Sequence, residues 1–193
     1  MKTIAIALMM SSVVFTACDN GNNKSDENAE TNKRSASETT PSSNPNAEAT
    51  PIEGIVSGYL SLKNALANDN SKDAANAGNA IVEAMNKIDK SSLTEDRMKL
   101  YADVEEDAKE HAEHIGSNAG NIKHQREHFD MLSKDMYDLV KSFGTGQTLY
   151  HAFCPMYNDN KGAYWISETK EIKNPYFGKE MPTCGEVKEE IKQ

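Results

Sequence analysis

Sulfur is concentrated near the C-terminus in two short motifs that mirror each other. Cys154-Pro155-Met156 is answered by Met181-Pro182-Thr183-Cys184-Gly185. Thiolates and thioethers are soft donors that suit Cu(I), whereas Mg(II), Ca(II) and Mn(II) prefer oxygen. A proline in each motif stiffens the loop that would carry these ligands. His151, three residues before Cys154, adds a candidate imidazole. The same cysteines allow a second reading, a Cys154–Cys184 disulfide. In an oxidising compartment it would close a loop of about thirty residues and contribute roughly 3 to 4 kcal/mol in the chain-entropy model. Met156 and Met181 would then be gap-filling core residues. Both readings stand at this level, because one pair of thiols can hold a metal when reduced and form a disulfide when oxidised.

Histidine gives a second signal. His111 and His114 are three residues apart, and His124 and His128 four apart, spacings that let two imidazoles on a helix face one ion. At 100° per residue, His111 falls within the apolar stripe of its helix and His128 at the edge of its own. His124 points nearly the opposite way and reads as a solvated surface residue. His111 reads first as a satisfied buried histidine, with a metal ligand as the alternative. Zinc enters as an alternative to copper(I) if histidines join the cysteines.

Other chemistries fit poorly. The chain carries 21 basic and 30 acidic side chains, a formal charge of -9, and no basic block. That excludes a protein that grips nucleic acid through its phosphates. Cys154 and His151 would mimic a thiol and base, but no glycine-rich oxyanion turn or orienting acid accompanies them. No phosphate-cradling glycine loop is present. The reading is of a binding protein and not an enzyme.

The elements that must position these groups are mostly helical. Thr50-Pro51-Ile52-Glu53 combines a cap candidate, a proline at the first helical position and a glutamate in the first turn. Ile52, Ile55, Tyr59, Leu62 and Leu66 then share one face, which predicts a helix from about Pro51 to Asn68. A second runs from Asp69-Asn70 to Lys90, with small residues that permit close approach and Gly78 as a weak point. Ser91, Ser92 and Thr94 offer caps for a third, on which Tyr101, Val104, Ala108, His111 and Ile115 align. After the Gly116–Gly120 break, Phe129, Leu132, Met136, Leu139, Val140 and Phe143 form the longest apolar stripe, stopped by Gly144 and Gly146. Gln125 and Arg126 lie close to that stripe and read as polar groups holding the tail to the helices. Four amphipathic helices with short joins predict an antiparallel four-helix bundle over residues 51–143. Residues 144–193 read as a small loop/β module packed with the bundle as one domain. Leu149–Phe153 and Ala163–Ile166 are its expected strands, Asn158–Gly162 the turn between them, and Glu186–Lys192 a terminal helical turn.

The N-terminus sets the compartment. Met1-Lys2, the apolar run Ile4–Phe15 and Thr16-Ala17-Cys18 resemble a bacterial lipoprotein signal, which implies cleavage after residue 17 and acylation of Cys18. Residues 19–50 contain only alanines from the hydrophobic set, so the segment 18–50 cannot bury a core and reads as a disordered tether. The expected location is the cell envelope, anchored by lipid at the periplasmic face or the outer membrane.

The C-terminal segments Tyr150–Met156, Gly162–Ser167, Glu171–Met181 and Cys184-Gly185, with Gln125-Arg126, Phe129, Leu132 and Ser133 upstream, resemble an uncharacterised envelope domain. That domain of unknown function occurs in lipoproteins of Gram-negative bacteria, and fused to periplasmic adaptors of heavy-metal efflux pumps, including copper and silver exporters. The Cys-Pro-Met and Cys-Gly elements are also similar, in part, to short metal-binding domains of copper ATPases; Glu186 stands where those carry a methionine. The resemblance, over about Ile52–Ile191, implies a copper- or silver-binding chaperone or sink with an efflux adaptor or pump as partner. It implies Cys154, Met156, Met181 and Cys184 as ligands, with His151 and His111 as further candidates. Tyr164, Trp165, Tyr176 and Phe177 are expected to build the module's core, and Asn174-Pro175 with Gly178 to shape a turn.

Overall fold

Four amphipathic stretches fold as helices: α1 (Glu53–Ala67), α2 (Ser71–Asn86), α3 (Glu95–Ser117) and α4 (Ile122–Phe143). The structure is a computed structural model and describes residues 50–192. The signal segment 1–17, the lipidation site Cys18 and all but the last residue of the tether lie outside the described residues. The protein is mainly helical, with a small antiparallel sheet after the last long helix. No helix among the described residues is long and apolar enough to cross a membrane.

Side-chain caps start three of the helices. Asn70 accepts from the Asp73 amide, Thr94 from that of Arg97 and Asn121 from that of His124. The expected box at Thr50 does not form: Ile52 occupies the cap position of α1, and the buried Thr50 hydroxyl has no partner among the described residues. Only the Thr50 carbonyl serves the helix, accepting from Glu53. Consecutive helices pack on one another, α1 on α2, α2 on α3 and α3 on α4. Gly78 has a packing reason: a Cβ there would stand 2.7 Å from the Ala112 carbonyl oxygen and 3.0 Å from the Gly116 nitrogen. The small residue that weakens α2 locally lets α3 approach it.

The sheet has the order β2-β1-β3, from β1 (Leu149–Cys154), β2 (Ala163–Ser167) and β3 (Glu186–Ile191). Both expected strands are present, and the turn joining them places Asn158, Asp159, Asn160 and Gly162 at positive φ. Glu186–Ile191 is a strand where a helical turn was expected. The main-chain groups of β1 are unpaired along one edge without it; pairing them overrides the weak helical preference of a short charged segment. A register shift opposite His151/Ala152 lets Ile191 reach the buried position opposite Leu149.

The sheet packs chiefly on α4. Tyr59 of α1 stacks on Phe129 of α4, and its hydroxyl accepts from the Ile166 amide and pairs with Ser133. Lys63, 1% exposed, reaches from α1 to Glu168 just beyond β2. Arg126 holds the tail as expected, donating to the Pro175 and Leu66 carbonyls and to Asp69. Gln125 binds Ser71 and the Ile115 carbonyl instead, so it joins helices and not the tail. Of the four expected core aromatics, Trp165 and Tyr176 are buried and Phe177 is half-buried; Tyr164 is 42% exposed, on the opposite side of β2 from Trp165.

Candidate functional site

Strand β1 ends on Cys154, which is buried and paired in register with Ala163. Cys184 precedes β3 and is brought back to it by the turn around Asn174. The Asn174 amide group donates to the Cys184 carbonyl, its own backbone N–H donates to the Pro182 carbonyl, and its side-chain oxygen accepts from the Tyr176 and Phe177 amides. Gly178, at φ +55°, closes that turn. Gly185 is at φ +138°, and a Cβ there would meet Trp165 at 2.8 Å and the Phe153 carbonyl oxygen at 2.9 Å. Only glycine lets the chain pass there and deliver Cys184 to the sheet. The two sulfurs, thirty positions apart in the chain, stand 2.9 Å apart as free thiols.

The methionines take different places. Met156 is 47% exposed. Met181 is half-buried and accepts from the Cys184 amide through its carbonyl. Burial and the neighbouring Cys154 thiol push the Cys184 thiol up to about 11, so it is a thiol at neutral pH. His151 is not brought to the sulfurs. Three residues along a strand reverse the face, and His151 lies between Tyr137 of α4 and Tyr164 of β2, with ring centroids 4.1 and 4.6 Å away. Burial lowers its pKa, consistent with a neutral ring in an aromatic stack.

His111 also finds other company. Its Nδ1 lies 3.1 Å from Nδ1 of His128 across the α3–α4 interface. Beside this pair, His114, His124 and His128 each offer a ring nitrogen, and these atoms lie within 4.8 Å of one another. The His114 and His128 rings stack at 4.2 Å, and His124 meets His128 edge-on at 4.5 Å. Burial and the three neighbouring histidines push His128 down to about 4, which keeps it neutral with a lone pair available. His124 is thus part of a group and not an isolated surface residue. The signal for this group was the hairpin: His111 with His128, and His114 with His124, are nearly equidistant from the turn at Asn118–Asn121. Each helix taken alone, by the phase of its apolar stripe, hides that correspondence.

These positions belong to a mainly helical domain with an appended three-stranded antiparallel sheet, which carries two separate groups of side chains of types that can ligate a metal: the thiol pair and the histidines. A DUF3347 domain, a family described as a protein of unknown function, is found at residues 55–148. The match takes in all four histidines of the group and ends before the sulfur motifs and the sheet. No curated protein and no solved structure matches the chain.

Proposed function

We propose that this chain is an envelope lipoprotein, an antiparallel four-helix bundle with a C-terminal module, that binds soft heavy-metal ions such as Cu(I) or Ag(I). It acts as a chaperone or sink linked to metal efflux, with Cys154 and Cys184 as the primary ligands and Met156 and Met181 as thioether donors. The carrying observation is the convergence of two thiols from opposite ends of the module, each with a methionine in its own loop. Soft donors in that number suit a soft monovalent ion. Binding requires loss of the thiol protons and a parting of the sulfurs. Two thiolates on one ion at ~2.3 Å in tetrahedral geometry stand ~3.8 Å apart. Met156 is exposed and Cys184 part-exposed, which gives an ion access to the pair from solvent.

The same geometry favours one other reading. A separation of 2.9 Å is also within about 1 Å of the ~2.05 Å of a disulfide, and a protonated, partly buried thiol suits a structural bridge better than a ligand. In that reading the domain is a non-metal interaction module, stapled by a Cys154–Cys184 disulfide and docking an envelope partner. Anaerobic titration of the reduced chain with Cu(I) against a competing chelator separates the two. Tight binding of about one ion per chain, lost in a Cys154→Ser, Cys184→Ser double variant, supports the metal reading. Affinity unchanged in that variant overturns the ligand assignment. A two-hydrogen mass deficit with no metal, in protein prepared without reductant, supports the interaction module.

A further inference from the structure

The four histidines between α3 and α4 serve no purpose in the sulfur chemistry, and packing alone gives no account of them. The side chains of His114 and His124 are 45% and 32% exposed, so the rings add little to the core. Four weakly basic rings packed against one another also repel whenever more than one is charged. What His114, His124 and His128 share is a ring nitrogen each, all within 4.8 Å of one another.

We propose that His114, His124 and His128 bind one divalent transition-metal ion, with Zn(II) and Cu(II) as the matching class. Three imidazoles on a tetrahedral ion at ~2.0–2.1 Å place their nitrogens ~3.4 Å apart. The nitrogens now lie within 4.8 Å of each other, so side-chain rotations that close up to about 1.4 Å complete the set. Two ligands come from α4, four residues apart, and one from α3, so the ion clamps the hairpin at its turn. Neutral imidazole donors select Zn, Cu or Ni over Mg, Ca or Mn, and the absence of sulfur in the set separates its ion class from Cu(I). Three protein ligands leave a fourth position open toward solvent, for water or for a donor from a partner.

His111 is a positioning residue in this arrangement. Its Nδ1 faces Nδ1 of His128 at 3.1 Å, and with His128 as the donor the Nε2 lone pair of His128 is left for the ion. Glu127 stands 3.5 Å from His124 Nδ1, and Glu110 3.8 Å from His114 Nε2. At those distances they supply negative charge more than orientation. Asp107 adds to it near His111, while Lys134 opposes it there. The proposal stands apart from the reading of the sulfur pair, and its test keeps the two separate.

The test uses the full chain with its cysteines alkylated, titrated with Zn(II) by calorimetry and with Co(II) by visible absorption. The expected result is one ion per chain and the d–d spectrum of four-coordinate Co(II), displaced by Zn(II). His114→Ala and His124→Ala, at part-exposed positions, are expected to keep the helical circular dichroism and each weaken binding by more than 100-fold. His111→Ala is expected to weaken it 10- to 100-fold at unchanged stoichiometry, the size seen on loss of an outer hydrogen-bond partner. His111→Gln, which keeps an acceptor, is expected to recover part of that loss. Affinity that survives in a folded His114→Ala, His124→Ala double variant overturns the site. So does binding that disappears once the cysteines are blocked.

Discussion

Lys63 and Glu168 tie α1 to the C-terminal module, and removing either partner has a different expected cost. The Lys63 ammonium is 2.7 Å from Glu168 Oε2, and Asn64 donates to Oε1 at 2.9 Å. Lys63 is 1% exposed at its side chain and Glu168 32%. Burial lowers the Lys63 pKa, and the Glu168 carboxylate only partly restores it. Glu168→Gln strands a buried ammonium. Breaking a fully buried pair from one side costs about 3–5 kcal/mol, and the water that reaches Glu168 reduces that to roughly 2–3 kcal/mol here. With about 2.1 cal/mol/K of unfolding entropy per residue over residues 50–192, this lowers Tm by about 7–10 °C. Lys63→Met keeps the buried stem and leaves a carboxylate in contact with water and Asn64, so its expected cost is within about 1 kcal/mol. Thermal melts followed by circular dichroism at pH 7 give the comparison. Acid provides a second arm. Burial pushes the Glu168 carboxyl up, but the bonds from Lys63 and Asn64 outweigh it and hold it below its ordinary value. Its contribution is present above the unfolded pKa of ~4.5 and is lost as pH falls through the folded value; Lys63→Met flattens that loss. A Glu168→Gln melt within 2 °C of wild type, or an equal loss in Lys63→Met, would refute the argument that the buried ammonium dominates.

Oxidising Cys154 and Cys184 to a disulfide is expected to raise stability by roughly 3 to 4 kcal/mol, read as the shift between urea titrations with and without reductant. Asp135 has a buried carboxylate oxygen with no partner among the described residues, and burial with Asp107 and Asp138 pushes its pKa up from 3.8 to about 6. The fold therefore prefers the protonated acid, so this contribution is complete below pH 3.8 and is lost as pH rises through about 6. The full shift corresponds to about 3 kcal/mol, and partial exposure reduces it to roughly 1–1.5 kcal/mol; Asp135→Asn is expected to remove that slope from urea midpoints measured between pH 4 and 7. Gly185→Ala forces a Cβ against Trp165 and the Phe153 carbonyl at positive φ, so it is expected to cost about 2 kcal/mol or more and to slow disulfide formation, measured by thiol titration.

Helix existence was legible because the apolar stripes of α1 to α4 are long and regular, and most of the residues that align on them are buried. Thr94 was legible as a cap, but Thr50 was not excluded, because the side chain that caps depends on where the chain turns into α1 and not on spacing alone. The terminal strand was hidden because Glu186–Ile191 has little apolar content, and its conformation is set by the open edge of β1, more than thirty residues away in the chain. The sulfur convergence was readable from composition, whereas the placement of His151 depends on strand alternation that sends it to Tyr137 and Tyr164. The histidine group was half-visible: the spacings within each helix could be read, but the pairing across the hairpin requires the register of α3 on α4.

The most direct measurement is X-ray absorption at the copper edge, on the reduced chain loaded anaerobically with one equivalent of Cu(I). The proposed function requires a first shell dominated by sulfur from Cys154 and Cys184, and loss of that shell in the Cys154→Ser, Cys184→Ser variant. A first shell of nitrogen alone, unchanged in the variant, would contradict it and assign the copper to the histidines.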